Sequence, residues 1–170
     1  MMAYYDLLCF LEYYADRTSV YDISTGKRAP TRRWQNFYQV PQDLSVVDSD
    51  VQGTFVYIPF AVSGFSLKSA NSLGELSVEI AATGDIIDLT DTAIGAGRLV
   101  IASLYLQDAG EEALDPASAT LISRYIGGID GAEVNDTSVS WAISPVIDKS
   151  KPQIPTRKVA SDLVGRFTGR

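Results

Sequence analysis

The sequence predicts a mainly β protein: an antiparallel β-sandwich or split barrel with one short helix and an extended C-terminal arm. Two alternations and one dense run carry that prediction. In Ser138-Val139-Ser140-Trp141-Ala142-Ile143-Ser144, Val139, Trp141 and Ile143 share one face while the serines take the other. Successive side chains of a strand point to opposite faces, so this is the pattern of a half-buried strand. Glu75-Leu76-Ser77-Val78-Glu79-Ile80 repeats it with Leu76, Val78 and Ile80 inward. Phe55 to Val62 is dense in strand formers, with Pro59 confined to an edge or a bulge because it has no N–H to give a ladder.

From the N-terminus, Tyr4 to Tyr14 is apolar and aromatic on several faces, and its aromatic content favours a strand over a helix. The polar turn Asp16-Arg17-Thr18 and the β-like run Ser19 to Ser24 predict a hairpin with it, closed by a turn at Thr25-Gly26-Lys27. Residues 27–53, interrupted by Pro30, Pro41 and Gly53, read as a long loop with one short strand near Trp34 to Val40. Loops of that length are uncommon within compact domains and are often functional or interface-forming. Ser63-Gly64 marks a bend. Asp85 to Gly95 spaces Ile86, Ile87, Leu89 and Ala93 as a helix does, with Asp88 or Thr90 as N-cap and Gly95 as its stop.

Leu99 to Leu106 is apolar on both faces, which predicts a central strand or one covered by a neighbouring subunit. An acidic loop, Asp108 to Pro116, precedes a strand at Thr120 to Ile126 that Gly127-Gly128 ends. Past Pro145 the chain is polar and twice broken by proline, so it extends into an arm in which Val159, Leu163, Val164 and Phe167 make a helical turn or two on a partner. The organisation is a β domain at 1–150, containing the long loop 27–53, and an arm at 151–170.

Composition narrows function. At 170 residues, 46% hydrophobic and 21% charged, the chain has the makings of one folded domain with its own core. Fourteen basic residues against twenty-one acidic give a net charge of −7, which repels a phosphate backbone. Two basic clusters, Lys27, Arg28, Arg32 and Arg33 and then Arg157, Lys158, Arg166 and Arg170, read as solvated loop charges or contacts with an acidic protein neighbour, because no nucleic-acid motif accompanies them. The N-terminal apolar stretch Leu7 to Leu11 is too short to cross a bilayer and has no signal-peptide flanks. The expectation is therefore no nucleic-acid and no membrane partner, in a protein made in a cytoplasm.

The search for chemistry points away from catalysis. Cys9 is the one cysteine and there is no histidine, which excludes disulfides within the chain, cysteine metal clusters and His-dependent triads. Asp85, Asp88 and Asp91 share a helix face but serve better as complements to the helix dipole than as a cation site. Glu111 and Glu112, with Asp108 and Asp115, form an acidic loop in which a glycosidase-like carboxylate pair is the minor alternative. Gly95-Ala96-Gly97 and Asn135-Asp136-Thr137 read as turns, and the many tyrosines as core or interface. No catalytic residue, metal or cofactor is expected.

In order and texture the chain resembles the N-terminal β domain of the lambda tail tip protein L family of phage minor tail proteins. The resemblance runs through the strand Leu7 to Tyr14, the strand Val20 to Thr25, and Phe55-Val56-Tyr57-Ile58-Pro59-Phe60-Ala61-Val62-Ser63-Gly64-Phe65 with its proline and glycine-aromatic pair. It continues through the Glu75 to Ile80 strand, the short helix, the strand after Gly97-Arg98, Trp141 to Pro145, and the proline-basic stretch Gln153 to Lys158. That family also carries a cysteine-rich metal-cluster domain, for which this chain has no ligands. The resemblance implies a structural, non-enzymatic component of the virion, in the tail tip or baseplate next to the hub, the distal tail ring and the tube. Assembly as a homo-oligomeric ring follows, through the long loop and the arm, with Trp34, Tyr38, Arg157 and Phe167 as candidate contacts. A glycan-binding module of the tail is the first alternative and a small cell-wall hydrolase the second.

Overall fold

A computed structural model describes residues 4–16, 20–65, 75–94, 96 and 98–145. The expected arm, with Arg157 and Phe167, and the two glycines of Gly95-Ala96-Gly97 lie outside the described residues.

Among the described residues the strands are β1 (Tyr5–Tyr14), β2 (Arg32–Gln35), β3 (Gln42–Asp43), β4 (Thr54–Tyr57), β5 (Phe60–Ser63), β6 (Leu76–Ala81), β7 (Leu99–Asp108), β8 (Thr120–Val134) and β9 (Ser138–Pro145), with one helix, α1 (Gly84–Ala93), and a 3-10 turn at Leu44–Val46. They form one sheet in the order β3-β4-β2-β1-β7-β8-β9-β6-β5. Every pairing is antiparallel except β2 with β4.

This sheet is rolled. Three strand steps separate β1 from β9, which is roughly 14 Å in a flat sheet, yet the Trp141 ring of β9 lies 6.1 Å from Tyr13 on β1 and 6.3 Å from Trp34 on β2. The two residues Ile58 and Pro59 link β4, near one end of the strand order, to β5 at the other. Proline cannot donate to a ladder, so the predicted single run Phe55–Val62 is cut there into two strands and the chain turns across the seam of a split barrel.

Inside the barrel lie the residues the alternations predict: Leu76, Val78 and Ile80, then Val139, Trp141 and Ile143, all fully buried. Cys9, Leu11, Tyr13, Val100, Ala102 and Ile129 belong to the same cluster, with Trp34, Phe60 and Tyr125. Helix α1 packs on it with Ile86 and Ala93. Thr90 receives a 2.9 Å hydrogen bond from Trp141 Nε1 and gives its own proton to the Ile86 carbonyl, so it belongs to the helix interior. The N-cap is Thr83, whose side chain accepts from the Ile86 N–H, in place of the expected Asp88 or Thr90.

Two further expectations are corrected. The predicted strand at Ser19 to Ser24 is, over its described residues 20–24, not paired with β1: Tyr21 makes a lone bridge to Arg28 around the turn at Gly26, and β2 and β7 flank β1. Strand β8 does not end at Gly127-Gly128 but continues to Val134. A Cβ on Gly127 would run into Ile143, the Ser144 carbonyl and the Tyr125 ring, so this glycine allows close approach within a strand rather than a turn.

The long segment 27–53 holds β2, β3 and the 3-10 turn and folds back over the outer face of β1 and β7. Leu44, Val51 and Phe55 close there over Leu8, Phe10 and Tyr105. Phe10 sits in the middle, edge-on to Phe37, Phe55 and Tyr105 at 5.5, 5.2 and 5.7 Å. That is why the first strand is apolar all round from Leu8 to Tyr14: there both of its faces are buried, the outer one by its own chain.

Candidate functional site

Beneath this cover lies a cluster of buried charges. Glu12 projects from the outer face of β1 and is fully buried. Arg28 donates to both of its oxygens, Nε to Oε2 at 3.1 Å and Nη2 to Oε1 at 3.3 Å, and its Nη2 also donates to Asp48 at 2.6 Å. Tyr14 gives its hydroxyl proton to Glu12, and Arg124 on β8 reaches across to Asp48 while donating from Nε to the Ser103 hydroxyl at 3.1 Å. Two carboxylates and two guanidiniums thus neutralise one another, which is the condition under which buried charges are tolerated.

Local backbone geometry fixes Arg28 in this place. Its N–H donates to the Asp50 carbonyl at 2.6 Å and its own carbonyl accepts from Gln52 at 3.0 Å. Burial alone pushes the Asp48 carboxyl upward, but the hydrogen bond and charge of Arg28, joined by Arg124, bring it below the ordinary carboxylate value. Burial, reinforced by the adjacent Glu12 charge, drives the Tyr14 phenol far above its usual value. Every charged group of the cluster is engaged by a partner, so the arrangement fastens the 27–53 segment to the sheet rather than presenting a free acid or base.

Three buried glutamines do the same work for backbone groups in the cover. Gln35 accepts from the Gln42 N–H and donates to the Phe37 and Val40 carbonyls. Gln42 accepts from the Leu114 N–H, and Gln107 holds the Ala113 carbonyl and the Asp115 N–H. Irregular backbone is buried safely only when such partners exist.

The expected site residues separate. Trp34 is 6% exposed and packs on Tyr13 and Trp141, so it is a core residue and not a surface contact. Tyr38 is 86% exposed and meets Tyr57 edge-on at 5.1 Å, with Val40 and Val56 also exposed on the same two segments. Arg28, read as a solvated loop charge, is buried. Asp85, Asp88 and Asp91 point to solvent from α1, and among the described residues no group of three acidic, His or Cys side chains is placed to hold a metal ion. Glu111 and Glu112 are exposed.

One signal for the missed cluster was present: Glu12 is a lone charge between Leu11 and Tyr13 in a strand buried on both faces, and such a charge needs a partner from elsewhere. A concavity of about 520 Å3 has Val20, Leu99, Ile101 and Ile126 on its walls beside Arg28 and Arg124. Compared with known proteins, the chain matches no family model and no curated protein.

Proposed function

We infer that the chain is a structural component of a phage tail tip or baseplate, joining hub and tail tube as part of a ring. The observation that carries this reading is the exposed Tyr38–Tyr57 pair with Val40 and Val56, an aromatic and aliphatic patch on a rigidly fastened segment. Tyrosine-rich patches of this kind suit protein interfaces, where large side chains bury much area at small entropic cost. The apolar and guanidinium-lined cleft at Leu99, Ile101 and Arg124 offers a second contact of the same character. The resemblance in element order to the tail tip family supplies the setting.

Size-exclusion chromatography with light scattering tests it, on the protein alone and mixed with candidate tail proteins expressed from neighbouring genes. A ring-sized or mixed complex that Tyr38→Ala with Tyr57→Ser weakens at least tenfold is the expected result. A monomer that engages none of these proteins contradicts it.

A further inference from the structure

We propose that the split in the barrel is a strand-acceptor slot, filled in function by an extended segment of a partner protein with apolar residues alternating inward and basic residues outward. The slot is defined by register alone and stands whether or not the chain belongs to a phage tail.

Strand β2 covers only part of β1. It pairs with Phe10 to Tyr13 and then stops. At its end the Asn36 side chain, not a backbone carbonyl, takes the Cys9 N–H at 3.0 Å, while the Asn36 N–H donates to the Cys9 carbonyl. The backbone groups of Cys9 therefore face the β2 side, and by the two-residue period of a strand so do those of Leu7 and Tyr5. Among the described residues the N–H and C=O groups of Leu7 and Tyr5 have no partner on that side.

The facing edge is β5. The Pro59 carbonyl accepts from Ala81 on β6, so Pro59, Ala61 and Ser63 bond toward β6 and the backbone groups of Phe60 and Val62 point the other way. They too have no partner among the described residues. Gln35 is opposite both Phe10 and Tyr57, so counting onward along each strand sets Phe60 beside Leu7 and Val62 beside Tyr5. On that count, carried through Ile58-Pro59, the two edges would lie two strand steps of about 4.8 Å apart, with no strand between them among the described residues.

The side chains describe the occupant. Tyr5 and Leu7 lie on the core-facing side of β1, yet they are 54% and 56% exposed, as expected where the next strand is missing. An inserted strand would cover them with apolar side chains. Its outward side chains would lie between Asp6 on β1 and Glu79 beside Ala61, which favours lysine or arginine. The open part of β1 and β5 carry no lysine and no bulge, so the short β5 and Pro59 at its start are the edge protection present there, and backbone pairing with alternate side-chain pockets is the mode by which sheets capture extended peptides.

The test uses the full chain and a synthetic peptide of about ten residues, alternating valine and threonine with lysine at both ends. Hydrogen exchange in the free protein is expected to show fast amides at Tyr5, Leu7, Phe60 and Val62, slowed at least tenfold when the peptide is added. N-methylating either set of alternate peptide amides is expected to weaken binding tenfold or more, because a strand between two edges uses both sets. Val62→Pro removes a donor aimed only at the slot and is expected to abolish binding while circular dichroism stays unchanged. No binding, sensitivity to one set of amides only, or amides already protected in the free chain, as when another part of this chain or a second copy fills the slot, would overturn the proposal.

Discussion

The two faces of β1 are buried by different physics. Inward, Cys9, Leu11 and Tyr13 meet Trp34 and Trp141 in a cluster made almost wholly of hydrocarbon and rings, supplied by strands that alternate on schedule. Outward, Leu8 and Phe10 are covered by an irregular segment, and Glu12 and Tyr14 by a charge cluster that segment completes. Apolar packing is graded, because each side chain adds an increment of buried area. A buried charge network is close to all-or-none, since removing one member strands another. The outer seal should therefore fail abruptly and the inner core gradually.

Breaking the network is the largest expected effect. Arg28→Met leaves Glu12 buried without its cation and should cost about 3–5 kcal/mol in denaturant unfolding. Adding Glu12→Gln to that variant should recover a good part of the loss, and the double-mutant cycle measures the coupling directly. Inside the barrel, Gly127→Ala forces a methyl against Ile143 and Tyr125 and should cost about 1–3 kcal/mol. Trp141→Phe removes the donor to Thr90, whose hydroxyl keeps its bond to Ile86, and should cost about 1 kcal/mol for that bond, before any contribution from the smaller ring.

Acid sharpens the comparison, because it acts on one face only. The native state holds Asp48 below its ordinary value of 3.8. Its stabilising contribution is therefore present above that pH and is lost as pH falls through the depressed native value. Acid titration followed by Tyr fluorescence and limited proteolysis should show the 20–53 segment loosening first below about pH 4. Cys9 reports on the other face: burial pushes its thiol up to about 12, so labelling by a thiol reagent at neutral pH should stay slow until the inner core itself opens. The smallest effect is expected at Tyr38, where Tyr38→Ala should change stability by no more than about 0.5 kcal/mol and so leave any loss of assembly attributable to the interface.

How legible each region was in the sequence follows the same division. Period-two alternation announced Leu76, Val78, Ile80, Val139, Trp141 and Ile143, because facing a core is a local property of a strand. Pairing is not local, so nothing near Tyr14 announced that β1 takes Arg32–Gln35 and not the run at 20–24 as its neighbour. Gly127-Gly128 looks like a stop until Tyr125 and Ile143 are seen to need the space. Trp34 and Arg28 sat among polar residues that suggested exposure, and their burial depends on contacts with Trp141, far along the chain, and with Glu12 on β1. Tyr38, in the same stretch, is at the surface as its polar surroundings suggested.

Hydrogen exchange on the native protein and on Arg28→Met tests most directly whether the outer cover is sealed by the charge network independently of the barrel core. The predicted result is faster exchange across residues 28–53 in the variant, with the amides of β6 and β9 unchanged. Equal acceleration in both regions, or none in either, would contradict it.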